Sequence, residues 1–279
     1  MKLPAFKRCV QHPIVVLVLA LLALLLSNNA HAASPARRIV SLGPALTEML
    51  FALGLDQQVV GVTTYCNFPA AALAKPKIGD ALHLNEERVI SLRPDLIVSV
   101  EGDRTRLDRI AKLTGARLQV LPTRHVNDIW GNFRTLGALT GRAAEAAAQT
   151  AKLQARVAAL TAKPGGTSPG VFYMVWDQPL MTAGQDSYLN DLITLAGGRN
   201  VVMDRSSYPS FSWEALLAAN PDVILGPRNM DKGLKALEGR YPALKAVQGH
   251  KLRTLPDDVI SRPGPRVAEA LAAVRAALR

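Results

Sequence analysis

Twice the chain writes one phrase: "ERVISLRPDLIV" at residues 87–98 and "EALLAANPDVIL" at residues 214–225. In each copy a carboxylate opens a helical stretch, Pro-Asp follows seven residues on, and an apolar run closes it. Proline cannot continue a helix, and an unbroken run of Leu, Ile and Val suits a strand buried on both faces. The phrase therefore reads as a helix handing over to a strand of a parallel sheet. One such joint recurs by chance in α/β proteins. Two joints set in the same longer order constrain the chain to two similar units.

That longer order is plain on both sides. "RRIVSL" (37–42) reads as a strand, "GPALTEMLFALG" as a helix stopped at Gly54, and "QVVGVT" as a strand. The loop "TYCNFPAAALAKPKIGD", a helix near residues 85–92, and the strands "DLIVSV" and "ARLQVLP" follow. From 127 to 162 the texture changes to Ala, Leu, Gln, Arg and Lys, all good helix formers. Gly141 interrupts this stretch, leaving a helix of about 20 residues, roughly 30 Å long, before "KPGGTSPG" breaks it. The first programme then restarts with the strand "VFYMVW", the helix "SYLNDLITLAGG", the short strand "RNVV" and the second copy of the phrase. The fold class expected is α/β: two Rossmann-like lobes with central parallel sheets joined by one long backbone helix. The boundaries expected are 33–140 for the first lobe, 141–163 for the connecting helix and 164–279 for the second lobe.

Residues 1–32 stand outside this scheme. Lys2, Lys7 and Arg8 precede 13 apolar residues at 14–26, and small residues at Ala30 and Ala32 follow. That is the pattern of a cleaved signal peptide, and the apolar run is short of the roughly 20 residues a membrane span needs. The expected product is an exported, periplasmic protein. Its only cysteine is Cys66, so no intrachain disulfide is available and stability must come from the core. The formal charge is +11 for the whole chain, of which the leader holds three. The rest is scattered, without a basic run or interleaved aromatics, so nucleic acid is not an expected partner.

Catalytic signatures are missing too. No α/β-hydrolase nucleophile elbow, phosphate-binding loop or dinucleotide fingerprint is signalled. His83, His125 and His250 lie far apart, and no pair has metal-ligand spacing. The expectation is a protein with no catalytic residues, no metal and no cofactor, which captures a solute between its lobes.

The stretches "RRIVSLGPALTEMLFALGLDQQVVGVTTYCNFPAAA", "PKIGD", "LNEERVISLRPDLIVS", "FSWEALLAANPDVIL" and "RPGPRVAEALAAV" resemble the helical-backbone substrate-binding proteins of ABC importers. Those receptors carry corrinoids and iron complexes, and the "YCNFP" loop is most similar to the vitamin B12 (cobalamin) branch. The resemblance implies a monomeric receptor that delivers a small-molecule ligand to a transmembrane permease dimer. It implies that Glu87 and Glu214, one per lobe, dock with arginines of that permease. A Glu in a first helical turn also favours the helix dipole, by about 0.3–1 kcal/mol, so both roles attach to these positions.

For the ligand, a corrin is a flat apolar ring edged with amides and wants aromatic walls with a few polar contacts. The candidates are Tyr65 and Phe68 in the first lobe, and Trp176 and Tyr208 in the second. Asp258 and Arg262 fall where the family closes its cleft. Two tryptophan positions of the cobalamin branch fall on Ala81 and Val100, which is a departure. Trp213 is expected in the core or facing the partner, and Trp130 in the core. A haem receptor is the near alternative, with His83 close to the position of an iron ligand that is Asp80 here. A ferric siderophore receptor would use Arg104, Arg106 and Arg262, and an exported enzyme on the same scaffold is the alternative of another class. A long connecting helix further implies limited hinge closure and a largely preformed cleft.

Overall fold

A computed structural model describes residues 34–80, 82–100, 102–161, 168–202, 204 and 206–279. The expected signal peptide (1–32), Ala81 and the boundary near residue 163 lie outside the described residues. From Ala36 to Arg279 the chain is one compact unit, in which two sheets lie on either side of a helical connector.

In the first sheet, Ile39–Ser41 (β1), Val59–Val62 (β2), Leu96–Ser99 (β3) and Arg117–Val120 (β4) run parallel in the order β2-β1-β3-β4. Every residue of β1 and β3 is buried, as their unbroken apolar runs demand. The helices Pro44–Ala52 (α1), Glu86–Ser91 (α2) and Arg104–Thr114 (α3) complete this lobe. Asn85 caps α2 by accepting from the Arg88 N–H.

The break expected at Gly141 separates two helices. Val126–Thr140 (α4) and Ala143–Leu160 (α5) form a hairpin, turned at Gly141 with φ 72°. At 1.5 Å per residue, the 18 residues of α5 span about 27 Å. Gly137 lets the two helices approach, since a Cβ there would lie 2.6 Å from that of Ala146. The Gln149 side chain donates to Ala52 O of the first lobe, and Leu160 O accepts from Arg275 of the second. The chain thus crosses between lobes along α5, with α4 packed beside it.

The second sheet contains Gly170–Asp177 (β5), Leu180–Thr182 (β6), Arg199–Asn200 (β7), Val223–Pro227 (β8) and Leu252–Leu255 (β9). It runs β6-β5-β8-β9 with β7 also on β5, and all pairs are parallel except β5–β6. That antiparallel strand is an addition to the expected plan. The string "GTSPG" at 166–170 does carry the letters G-x-S-x-G, but it leads into β5 and so cannot be a strand-to-helix elbow. The remaining helices are Tyr188–Leu195 (α6), Trp213–Ala219 (α7), Asp231–Arg240 (α8), Lys245–Gln248 (α9), Asp257–Ile260 (α10) and Val267–Ala277 (α11). Ser187 and Ser212 cap α6 and α7 through their hydroxyls.

One hydrophobic core runs through the lobes and the hairpin, joining Leu46 and Val98 to Phe133, Val157, Tyr173 and Leu271. Lobes that share a continuous core move less freely than domains joined by a linker.

Candidate functional site

The carboxyl ends of parallel strands are where open α/β sheets receive ligands, and here those ends meet. A cavity of about 430 Å³ is lined by Leu42 after β1, Thr63 and Tyr65 after β2, Val100 after β3 and Thr123 after β4. Asp257, Asp258 and Arg262, just after β9, line it from the second lobe.

The loop after β2 owes its shape to Cys66. The Cys66 side chain is fully buried, with Sγ 3.1 Å from both Thr47 Oγ1 and Thr63 Oγ1, and Lys77 Nζ donates to Cys66 O at 2.9 Å. Its neighbours are thereby held for the cleft: Tyr65 is 65% exposed, and Asn67 reaches across the lobes. Asn67 Nδ2 donates to Asp258 Oδ2 at 2.7 Å, and Asn67 Oδ1 accepts from Arg262 Nη1 at 2.7 Å.

Arg262 is almost enclosed, and both of its terminal nitrogens are engaged. It also donates to Glu48 Oε1 at 3.1 Å, Asp258 Oδ1 at 2.6 Å and Tyr65 O at 3.1 Å. Glu48, buried on α1, binds Arg266 through both oxygens at 2.7 and 2.9 Å. Burial opposes the Arg266 charge, but the hydrogen bond and charge of Glu48 hold its pKa above the ordinary value. Two arginines and two carboxylates thus form a charge-balanced floor. Asp257 stands apart from it, with a buried Oδ1 that has no partner among the described residues.

Tyr65, Asp258 and Arg262 are brought together around this cavity, whereas Phe68, Trp176 and Tyr208 are not among its lining residues. Phe68 lies beneath the Arg266 guanidinium, 4.3 Å from its ring centroid. Trp176 is 46% exposed at the carboxyl end of β5, and its Nε1 donates to Gln178 O at 3.0 Å. Tyr208 is half exposed on a loop tied to β6 by the Thr182 N–H bond to Pro209 O. Trp213 stacks on Tyr241 at 5.4 Å with Arg240 over it, and Trp130 packs partly buried against the core.

The two docking candidates occupy matching places. Glu87 in α2 and Glu214 in α7 are exposed, in the first turns of their helices. Among the described residues no ion pair holds either of them. Glu86, by contrast, is spent inside the lobe on Arg106 at 2.9 Å and Arg109 at 2.6 Å.

Sequence reasoning missed Glu48, Asn67, Asp257 and Arg266. A signal for Glu48 existed, since it is the one charge in the apolar helix "PALTEMLFA", and a buried charge needs a partner. Nothing local marked the others. Among the described residues, no cluster of three or more His, Cys, Asp or Glu is placed to hold a metal.

A model of the periplasmic binding protein family matches residues 39–259. The vitamin B12-binding protein of Vibrio cholerae is 28% identical over 242 residues, covering 85% of this chain and 87% of that one. The crystal structure of the periplasmic vitamin B12 binding protein of Vibrio cholerae is similar at a TM-score of 0.77 and 26% identity, over 88% of this chain and 97% of that one. A periplasmic heme-binding protein in complex with two hemes is similar at a TM-score of 0.75 and 28% identity, over 86% and 97% of the respective chains. By that family match, by its two parallel-sheeted lobes and by the cleft at their strand ends, this chain belongs to the periplasmic binding proteins, the substrate-binding component of ABC transporters.

Proposed function

We propose that this protein captures a corrinoid, cobalamin, in the inter-lobe cleft and delivers it to an ABC importer permease, performing no chemistry itself. The observation that carries the reading is the state of the arginines. An anionic siderophore or the propionates of haem need free cations. Arg262 is taken by Glu48 and Asp258, Arg106 by Glu86, and Arg104 by Asp108 at 3.1 Å. A cleft whose cations are already neutralised suits a neutral, amide-edged ring. Tyr65, Phe68, Trp176 and Tyr208 would supply apolar contact, with Asp258 and Arg262 as polar edge contacts. The cross-lobe network and shared core favour a largely preformed cleft.

Export through a cleaved signal peptide, action as a monomer, and docking through Glu87 and Glu214 belong to the same reading. A haem receptor is the second reading, favoured by the exposed His83 beside Asp80 and by the heme-binding structural neighbour. Absorbance separates them. Cyanocobalamin is expected to shift its spectrum on mixing with the purified protein, whereas hemin is not. A Soret shift with hemin alone would overturn the corrinoid assignment.

A further inference from the structure

Asp257 and Asp258 are adjacent and line the same cavity, yet their carboxylates are in opposite conditions. Asp258 has both oxygens engaged, Oδ1 by Arg262 and Oδ2 by Asn67. No hydrogen bond or ion pair reaches the Asp257 carboxylate among the described residues, and its Oδ1 is buried. Burial pushes the Tyr173 phenol up, and the nearby charge of Asp257 and then Tyr208 push it further.

A carboxylate only accepts, so a half-buried one without a donor is completed by an incoming N–H or O–H at its accessible oxygen and repels a second carboxylate. Beside the charge-balanced floor of Glu48, Arg262, Arg266 and Asp258, the Asp257 carboxylate is left without a hydrogen bond or ion pair among the described residues. We propose that Asp257 reads the edge of the ligand, accepting an N–H donor from an amide and turning away a ring edged with carboxylates. The proposal rests on the cleft being the ligand site, and it concerns edge chemistry rather than ring identity.

Isothermal titration with two matched pairs tests it: cobinamide against cobyrinic acid, and hemin dimethyl ester against hemin. The wild type is expected to prefer the uncharged member of any pair it binds. In Asp257→Asn and Asp257→Ala that preference falls by roughly 10- to 100-fold, the range of one hydrogen bond to a charged group. The same preference in wild type and both variants overturns the proposal, as does binding of neither pair. If only the hemin pair binds and its preference collapses in the variants, Asp257 keeps its role while the corrinoid reading falls.

Discussion

Glu48 and Arg262 are 214 residues apart in the chain and 3.1 Å apart in the fold. Glu48 comes from the first helix of the first lobe, and Arg262 from the segment after β9 of the second. Their contact, doubled by the two-point grip of Arg266 on Glu48, ties the lobes at the floor of the cleft without help from a ligand. It also leaves both arginines beside the cleft paired with carboxylates.

Glu48→Ala is therefore expected to destabilise the protein by about 3–5 kcal/mol, the usual cost of breaking a buried pair from one side. Arg262 and Arg266 would remain almost enclosed and lose their shared counter-charge. Urea unfolding should show a lower midpoint at unchanged slope. A loss below about 1 kcal/mol, typical of exposed pairs, would mean that the guanidiniums rehydrate and that the network is not a latch.

This network marks the limit of what was legible in the sequence. The two lobes could be read from the duplicated helix–Pro-Asp–strand joint, because periodicity and proline act locally. The hairpin was only half legible: Gly141 announced a break, but nothing nearby said that α4 would fold back along α5. Asn67, Asp257 and Arg266 acquire meaning only when β2 and β9 place their ends together. Long-range pairing of that kind has no periodic signature. The cleft aromatics were chosen by chemistry and likeness, and of those four only Tyr65 lines the cavity.

Glu86 and Glu87 allow a controlled test of docking, since adjacent carboxylates differ in their partners. Charge reversal of Glu87 together with Glu214 is expected to lower the melting temperature only slightly, through the lost helix-dipole contribution, to leave cobalamin affinity unchanged and to abolish transport in reconstituted vesicles. Each single reversal should weaken binding to the permease and reduce its salt dependence. Glu86→Lys should instead lower the melting temperature, because it sets a cation against Arg106 and Arg109. Loss of ligand binding in the Glu87/Glu214 double variant would make those carboxylates structural.

Gly79 shapes the turn that leads into α2. Its φ is +88°, and a Cβ there would lie 2.0 Å from His83 O. The turn it permits is closed by Asp80 Oδ1, which accepts from the Leu82 and His83 N–H groups and is held below the usual carboxylate range chiefly by the latter. Gly79→Ala must open this turn as well as strain the backbone. Gly54→Ala, at φ +71° with open space around it, meets strain alone, about 1–3 kcal/mol. Thermal unfolding should rank Gly79→Ala as clearly the worse of the two. Equal losses would show that the Asp80–His83 turn yields without cost.

A pH dependence should arise where α4 meets α6. His125 sits between carboxylates of the second lobe, with Nε2 2.8 Å from Asp186 and Nδ1 3.2 Å from Asp191. Asp191 also accepts the Val126 N–H, Asp128 accepts the His125 N–H, and Arg124 approaches Asp186 at 3.5 Å. Burial pushes the imidazole pKa down, but the hydrogen bonds and charges of Asp186 and Asp191 outweigh it, and the net shift is upward. A raised folded-state value means that the imidazolium's contribution is complete below the unfolded value of about 6.5. It is lost as pH rises through the higher folded value. The ring is 38% exposed, so solvent screening keeps the effect modest. The melting-temperature gap between wild type and His125→Asn should be widest near pH 6 and narrow toward pH 8.5. A gap constant over that range would show that His125 packs there without carrying charge.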